Sequence, residues 1–148
     1  MPYEIVDVTT PAGELVGHRW LLRSDRVHRQ LRPQLDVDYV NQMLCIFADG
    51  GRMVVATDDD SVVGVAVYRI YQNTFEGRQL YVDDLVSDID ARSMGIGKAL
   101  MNHMMRIAKA EACVAFNLDS GVQRAQAHKF YFREGMVVSA FHFAKAVG

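Results

Sequence analysis

The central part of the chain, residues 53–87, constrains the fold most, because here the spacing of apolar residues changes from that of a helix to that of a strand. Three segments rich in β-branched and aromatic residues, 53–57, 62–71 and 78–87, are separated by turn-forming residues at 58–60 and 73–77. Short turns of this kind join neighbouring strands into hairpins. The pattern therefore predicts three consecutive antiparallel strands in one sheet.

Apolar residues at helical spacing occupy the segment before these strands. Thr10, which precedes a proline, is a helix-start signal. A stripe of four apolar residues then shares one helix face: Val16, Trp20, Val27 and Leu31. Residues 24–25 are polar and can break this helix. A second helix, capped by Asp36 or Asp38, is expected to end at residues 50–51, which are both glycine.

Helices and strands alternate in the rest of the chain. We expect strands at 3–8, 114–118 and 137–147 and helices at 95–111 and 123–134. The order βααβββαβαβ combines hairpins with a helical crossover, which predicts an α/β (α+β) fold with a mixed, mostly antiparallel sheet flanked by about four helices. The length of 148 residues and the hydrophobic content of 50% suit a single domain over residues 1–148.

Charge and composition exclude several classes of protein. The formal net charge is −2, from 18 acidic and 16 basic residues, and this balance provides no basic face for a nucleic acid. The longest apolar run, residues 62–68, is far shorter than a membrane span of roughly 20 residues, and the N-terminus has no signal-peptide pattern. The two cysteines, Cys45 and Cys113, form no disulfide framework. A cytoplasmic protein is therefore expected.

A loop with two glycines lies between the predicted strand at 78–87 and the predicted helix that follows it. It consists of Arg92, Ser93, Met94, Gly95, Ile96, Gly97 and Lys98. Glycines let backbone N–H groups approach a ligand closely, and a helix N-terminus adds unpaired donors and a partial positive charge. These features favour a pyrophosphate site, with an ordinary strand-to-helix loop as the alternative. The spacing fits neither a dinucleotide fingerprint nor a P-loop.

Two motifs together resemble the GNAT superfamily of N-acetyltransferases. The acetyl-CoA loop of that family has Arg or Gln, two residues, Gly, one residue and Gly or Ala, which Arg92, Gly95 and Gly97 match. Further along, the family often has Ala, two residues, Phe-Tyr, three residues and Gly, which residues 127–135 match. The resemblance covers nearly the whole chain and implies the GNAT fold, acetyl-CoA as co-substrate and no metal. The C-terminal third is also similar to aminoalkylphosphonate acetyltransferases, and the branch that the chain resembles has no settled substrate.

The resemblance implies roles for three residues near the end of the chain. Tyr131 is implied as the acid that protonates the leaving thiolate, and a phenol with a pKa of about 10 is protonated at neutral pH. Ala127, one helical turn earlier, leaves room for the cofactor chain. Arg124 stands where family members carry an asparagine, so its contact is either a cofactor phosphate or an anionic acceptor. Packing in the core is the alternative for Tyr131.

Two adjacent aspartates interrupt the third strand. Aspartate is disfavoured in strands and neighbours point to opposite faces, so Asp83 or Asp84 needs a partner or a role. The resemblance implies a β-bulge here, with one aspartate acting as a base, directly or through water, or as a clamp on a cationic amine. An ion pair is the alternative, and which aspartate faces the acceptor stays open. The resemblance also implies that backbone groups of Leu85, Val86 and Ser87 pair with the pantetheine arm, one N–H donating to the oxyanion.

Other chemically capable residues lack a clear functional pattern. The five histidines have no metal-ligand spacing and are expected at the surface or half-buried. Cys45 and Cys113 lie in apolar stretches and are expected in the core. By the resemblance, Arg26 and Arg32 belong to a segment that borders the acceptor pocket. They are expected either to bind an acceptor carboxylate or phosphate or to form a solvated helix face.

These features together predict an N-acetyltransferase that moves the acetyl group of acetyl-CoA to a primary amine of a small molecule, by direct attack in a ternary complex. The alternatives are a peptide or protein N-acetyltransferase, a non-catalytic acetyl-CoA-binding sensor and a purely structural domain. The expected partner is the small-molecule amine, with no nucleic acid and no membrane. The oligomeric state stays open, with a homodimer as one alternative.

Overall fold

Five β-strands and five α-helices build the part of the chain that the structure, a computed structural model, describes: residues 3–92 and 94–148. In chain order they are β1 (Glu4–Asp7), α1 (His18–Arg23), α2 (Asp25–Leu31), α3 (Tyr39–Ala48), β2 (Arg52–Asp58), β3 (Ser61–Asn73), β4 (Gly77–Ser87), α4 (Ile96–Ala110), β5 (Ala115–Leu118) and α5 (Ala125–Arg133). A short 3-10 helix, Ile89–Ala91, follows β4. The chain divides into two compact units, Met1–Asn117 and Leu118–Gly148. A single domain over residues 1–148 stays a prediction.

The sheet has the strand order β1-β2-β3-β4-β5, and its first four strands are antiparallel neighbours. Turns at 59–60 and 74–76 join β2 to β3 and β3 to β4, which confirms the two predicted hairpins. The mostly antiparallel α/β architecture is therefore as expected.

Helices cover both faces of this sheet within the first unit. On one face, Leu21, Val27 and Met43 from α1, α2 and α3 are fully buried in a core cluster with Val55 and Val67 of the sheet. On the other face α4 packs against the middle of the sheet. A Cβ placed on Gly64 would come within 2.5 Å of the Ile96 side chain, so this close approach of α4 requires a glycine.

The predicted first helix differs from the structure at its start. Residues 10–14 form a turn in which the Thr10 hydroxyl accepts a hydrogen bond from the Glu14 N–H, at 3.0 Å, and the helix begins only at His18. The predicted break at residues 24–25 is confirmed, since Ser24 separates α1 from α2 and its hydroxyl donates to the Trp20 carbonyl at 2.7 Å. Of the two candidate caps for the next helix, Asp38 fills the role.

The predicted final strand at 137–147 is wrong. No regular secondary structure follows α5 in the described chain, and Val137, Phe141 and Phe143 are exposed. Strand-like sequence is not sufficient for a strand, because the backbone hydrogen bonds of a sheet come from a neighbouring strand.

Two further observations concern membrane spans and cysteines. No helix among the described residues is long and apolar enough to cross a membrane. The expectation of two core cysteines is wrong for Cys45, which is exposed on α3, while Cys113 is half-buried just before β5. The buried residues of α3 are Tyr39, Met43 and Phe47, which lie four residues apart on one face. Cys45 lies between two of them in sequence and therefore on another face of the helix.

Candidate active site

A β-bulge in β4 displaces the two aspartates. In the pairing of β3 with β4, Val67 lies opposite Asp84 and the next residue, Tyr68, lies opposite Val82, which leaves Asp83 as the extra residue. This confirms the bulge that the resemblance implied. The Asp84 side chain extends toward α2, and that of Asp83 reaches Arg69 on β3.

Asp84 is held by two basic side chains of α2 and its C-cap. Its Oδ2 atom lies 2.7 Å from Nε2 of His28, and its Oδ1 atom accepts a hydrogen bond of 2.7 Å from Nε of Arg32. The Asp84 side chain is only 14% exposed. Burial alone would raise the pKa of Asp84, but the hydrogen bonds and charges of His28 and Arg32 hold the pKa below 3.8. Asp84 is therefore a carboxylate at neutral pH.

Asp83 is bound in a different way. Arg69 donates to both of its carboxylate oxygens, from Nε at 2.7 Å and from Nη2 at 2.9 Å, in the fork geometry that guanidinium groups favour. The Arg69 guanidinium lies over the rings of Tyr71 and Tyr81, 5.2 Å from each centroid. Both aspartates thus have the ion-pair partners that the alternative interpretation required.

His28 is a member of this site that the sequence did not indicate. The five histidines of the chain are expected at the surface or half-buried, yet His28 is 1% exposed. Its Nδ1 atom lies 2.8 Å from the Tyr39 hydroxyl, so both ring nitrogens have a polar partner. Burial, together with the negative charges of Asp25 and Asp84, raises the pKa of Tyr39, so Tyr39 is a neutral phenol.

Arg26 and Arg32 both contact acidic groups of this chain. Arg32 donates to Asp84 and, from Nη2 at 3.0 Å, to the backbone carbonyl of Asp83. Arg26 lies 2.5 Å from the carboxylate of Asp88, which also accepts a hydrogen bond of 3.1 Å from Gln30. These contacts connect α2 and its C-cap to β4 and to the residue that follows it.

Asp88 gives this connection a pH dependence. The hydrogen bond from Arg26, with that from Gln30, lowers the pKa of Asp88 to about 2 from 3.8, although burial opposes the shift. Because its pKa is lower in the folded state, the ionised Asp88 stabilises the fold fully above about pH 4, and this stabilisation is lost as the pH falls through 2. The loop of the glycine motif begins four residues later, so Asp88 also anchors the approach to that loop.

We expect Asp88→Asn to lower the free energy of unfolding by about 1 kcal/mol near neutral pH, a value reduced because the Arg26 guanidinium is exposed and screened. The difference from the wild type should shrink as the pH approaches 2. Denaturant unfolding of both proteins at several pH values measures it. Asp90→Asn, which changes an exposed neighbour, is the control. A difference that does not depend on pH would contradict the assignment.

The glycine loop opens a helix as predicted, and the structure adds that its first glycine is left-handed. Gly95 has φ +77° and is the N-cap of the 15-residue helix α4, and no side chain of the described residues caps it. The first-turn N–H groups of a helix have no intrahelical acceptors, so they are available to an anion. The Tyr3 hydroxyl donates to the Met94 carbonyl at 2.7 Å and fixes the loop from one side. Ser93 lies outside the described residues, and Arg92 is exposed.

The end of β4 continues toward this loop. Leu85, Val86 and Ser87 pair with Ala66, Val65 and Gly64 of β3. On the other side, the contacts that join the β5 region to β4 lie near the beginning of β4, where the Val114 N–H donates to the Arg78 carbonyl and the Asn117 amide donates to Gln79.

The second unit carries the other motif on α5. Arg124, Ala127 and Tyr131 are half-buried and follow one another at the spacing of one helix face. The Tyr131 ring packs edge-on against Phe130, with 5.4 Å between centroids. Burial raises the pKa of Tyr131, and the charge of Arg124 opposes this shift. Tyr131 is therefore a protonated phenol at neutral pH.

The comparisons with known proteins define the class of this fold and glycine loop, which is that of an acyltransferase. The model of the Acetyltransferase (GNAT) family matches residues 15–136, so the chain belongs to the GNAT family of N-acetyltransferases. The chain is 26% identical over 121 residues to the uncharacterized N-acetyltransferase YhdJ of Bacillus subtilis (strain 168), which covers 80% of this chain and 85% of that protein.

Solved structures share the fold. An aminoglycoside acetyltransferase, meta-AAC0020, from an uncultured soil metagenomic sample and in complex with sisomicin superposes with a TM-score of 0.80 at 13% identity, over 99% of this chain and 97% of that one. The aminoglycoside N-acetyltransferase AAC(6')-Iy in complex with CoA superposes with a TM-score of 0.77 at 16% identity, over 97% and 94%. Among the described residues, no group of three His, Cys, Asp or Glu side chains lies close enough together to hold a metal ion.

Proposed function

We propose that this acetyltransferase transfers the acetyl group of acetyl-CoA to a primary amine of a small molecule, by direct attack in a ternary complex. One observation carries the proposal: a carboxylate, Asp84, is held in its ionised form at a bulge of β4, in a protein of the GNAT family. The small-molecule acceptor is supported by the structural neighbours that are named as aminoglycoside acetyltransferases.

The proposed site for acetyl-CoA follows the glycine loop and the end of β4. The pyrophosphate would bind to the backbone N–H groups of the loop formed by Arg92, Ser93, Met94, Gly95, Ile96, Gly97 and Lys98. The left-handed turn at Gly95 and the uncapped start of α4 fit this role. The pantetheine arm would pair with Leu85, Val86 and Ser87 as an added strand. Arg124 and Ala127 of α5 are the further residues proposed to contact the cofactor.

The proposed chemistry has one bond formed and one broken. The neutral amine attacks the thioester carbonyl, and a backbone N–H of residues 85–87 donates to the oxyanion that forms. As the C–N bond forms, positive charge develops on nitrogen, where the carboxylate of Asp84 or Asp83 stabilises it and accepts a proton, directly or through water. The C–S bond then breaks, and Tyr131 donates its proton to the departing thiolate. The phenol regains a proton from solvent.

The lowered pKa of Asp84 makes it a weak base, so the stabilisation of charge is the larger part of the role that we propose for it. Ion pairs within the chain also occupy Arg26 and Arg32, the two candidate sites for an anionic acceptor. Each already binds an aspartate of this chain, and an acceptor carboxylate would have to compete with Asp88 or Asp84.

A mixture of acceptors tests the class of substrate. Aminoglycosides, amino acids, polyamines, aminophosphonates and peptides with free N-termini are offered together with acetyl-CoA, and the acetylated products are identified by mass spectrometry. We expect acetylation of small amines in preference to peptides. Acetylation of peptides alone would favour the peptide or protein N-acetyltransferase, and CoA binding without any product would favour the sensor.

A substitution in the glycine loop tests the cofactor site. We expect Gly97→Val to weaken the affinity for CoA by about tenfold or more, because a β-branched side chain in the first turn of α4 keeps the pyrophosphate from the backbone. Titration calorimetry with CoA measures the effect. Asn102→Val places the same side chain on an exposed position of the same helix and should bind CoA like the wild type. Wild-type affinity in folded Gly97→Val would contradict the site.

A cytoplasmic homodimer completes the proposal. The cytoplasmic location is supported by the two cysteines, which are both free. The dimer is supported by the exposed apolar side chains that follow α5, Val137, Phe141 and Phe143, since apolar side chains exposed in series commonly mark an interface. Light scattering of the purified protein distinguishes a dimer from a monomer.

A further inference from the structure

The buried imidazole of His28 has no part in the chemistry proposed above, yet it contacts Asp84 directly. His28 lies on α2 and is 1% exposed. A polar ring at this depth requires hydrogen bonds to offset the loss of water, and here each nitrogen has one partner: Asp84 at 2.7 Å and Tyr39 at 2.8 Å. The two contacts fix the ring in one orientation.

The ionisation of the two partners determines which ring nitrogen carries hydrogen. Asp84 is a carboxylate and only accepts, so Nε2 of His28 donates to it. Tyr39 is a neutral phenol, and its hydroxyl is the partner of Nδ1 at 2.8 Å. The ring of Tyr39 also packs edge-on against the imidazole, with 5.6 Å between centroids and an interplanar angle of 83°. Tyr39 therefore orients His28, and His28 orients Asp84.

The two oxygens of Asp84 consequently have unlike partners. Oδ2 is bound to the buried His28, while Oδ1 is bound to Arg32, whose side chain is 40% exposed. Asp83 differs, because the single guanidinium of Arg69 takes both of its oxygens. Of the two partners of Asp84, only the exposed Arg32 can be replaced by the amine substrate without opening the core.

We propose that His28 is a positioning residue, which binds Oδ2 of Asp84 and thereby leaves Oδ1, where the amine can replace Arg32, as the oxygen that serves the amine. Without His28, Asp84 could turn to receive Arg32 on both oxygens, in the same fork that binds Asp83 to Arg69. Arg69 is as exposed as Arg32, at 41%, but it holds Asp83 through two hydrogen bonds, whereas Arg32 holds Oδ1 of Asp84 through one. The arrangement therefore assigns the amine to Asp84 rather than Asp83. This inference rests on the proposed function and assigns the acceptor side of that site.

The inference is tested with variants of His28 that differ in whether the side chain can donate a hydrogen bond to Asp84 and in how well it fills the space of the imidazole. His28→Asn is too short to reach Asp84, and His28→Leu fills the space without a donor, whereas the amide of His28→Gln can donate to Oδ2. We expect turnover of the best amine to fall by about 10- to 100-fold in the Asn and Leu variants. The Gln variant should recover most of that loss, and the KM for acetyl-CoA should stay unchanged in all three.

A stability control accompanies these variants. Thr9→Val removes a buried hydroxyl that accepts a hydrogen bond of 3.0 Å from the Met53 N–H, and it should lower the thermal stability without changing turnover. If turnover follows thermal stability through all four variants, His28 has a structural role only and the inference fails. The inference also fails, while the proposed function stands, if Asp84→Asn loses turnover and His28→Asn and His28→Leu do not. Wild-type turnover in Asp84→Asn would overturn the inference and the role of Asp84, and acetyl transfer itself would stand.

Discussion

Replacing Tyr131 by phenylalanine should reduce turnover by about 10²- to 10⁴-fold, the range for loss of a general acid, with the lower end favoured because a thiolate with a pKa near 8.5 leaves to some extent unassisted. The substitution removes one oxygen and keeps the ring that packs against Phe130. Because the hydroxyl acts on the departing sulfur, its loss should affect the transition state more than cofactor binding. The affinity for acetyl-CoA should therefore change little.

Turnover at saturating amine, with the chemical step shown to limit the rate, measures this effect. Phe130→Leu, which changes the neighbouring ring without removing a hydroxyl, serves as the control for packing on α5. The raised pKa of Tyr131 keeps the phenol protonated through the neutral range, so Tyr131 itself should cause no loss of turnover below about pH 10. Turnover of Tyr131→Phe within a factor of about two of the wild type would remove the acid role.

Asp84→Asn should lower turnover by about 10²-fold, because the amide keeps the shape of the carboxylate but cannot stabilise positive charge on the attacking nitrogen or accept its proton. It also leaves His28 and Arg32 without their charged partner, so we expect a loss of stability of about 1–3 kcal/mol. Rates are therefore compared at a temperature where circular dichroism shows the variant to be folded.

Asp83→Asn is the matched control for this substitution. It removes the same charge from the adjacent residue, whose oxygens are both bound to Arg69, and the effect on turnover should be much smaller. The depressed pKa of Asp84 keeps it ionised from neutral pH down to below 3.8, so a fall in rate at mildly acidic pH should follow protonation of the amine substrate instead. Wild-type rates for both Asp83→Asn and Asp84→Asn, across pH and with every accepted amine, would make the pair structural.

Local chemistry made much of the site predictable from sequence. Two aspartates in a strand require an explanation, and the bulge at Asp83 provides it. The two glycines before an amphipathic helix indicated a turn that opens the helix, and Gly95 is the N-cap of α4. Both signals arise within a few residues of the feature that they predict, because backbone conformation at a turn or a bulge depends on the residues that occupy it.

Features that depend on distant partners were not predictable in the same way. The buried His28 has its polar partner in Asp84, 56 positions away in sequence, and no local pattern marks that pairing. The start signal at Thr10 was satisfied by a turn with Glu14 instead of a helix. The strand expected at 137–147 needed a neighbour that the described chain does not supply.

The central claim is acetyl transfer to an amine, and the most direct test compares thiol release from acetyl-CoA with the formation of N-acetylated amine in the same reaction. We predict that the release of CoA requires an added small-molecule amine, saturates with its concentration and equals the amount of acetylated amine formed. Saturable binding of acetyl-CoA with no amine-dependent release, across small amines and peptides alike, would contradict the claim.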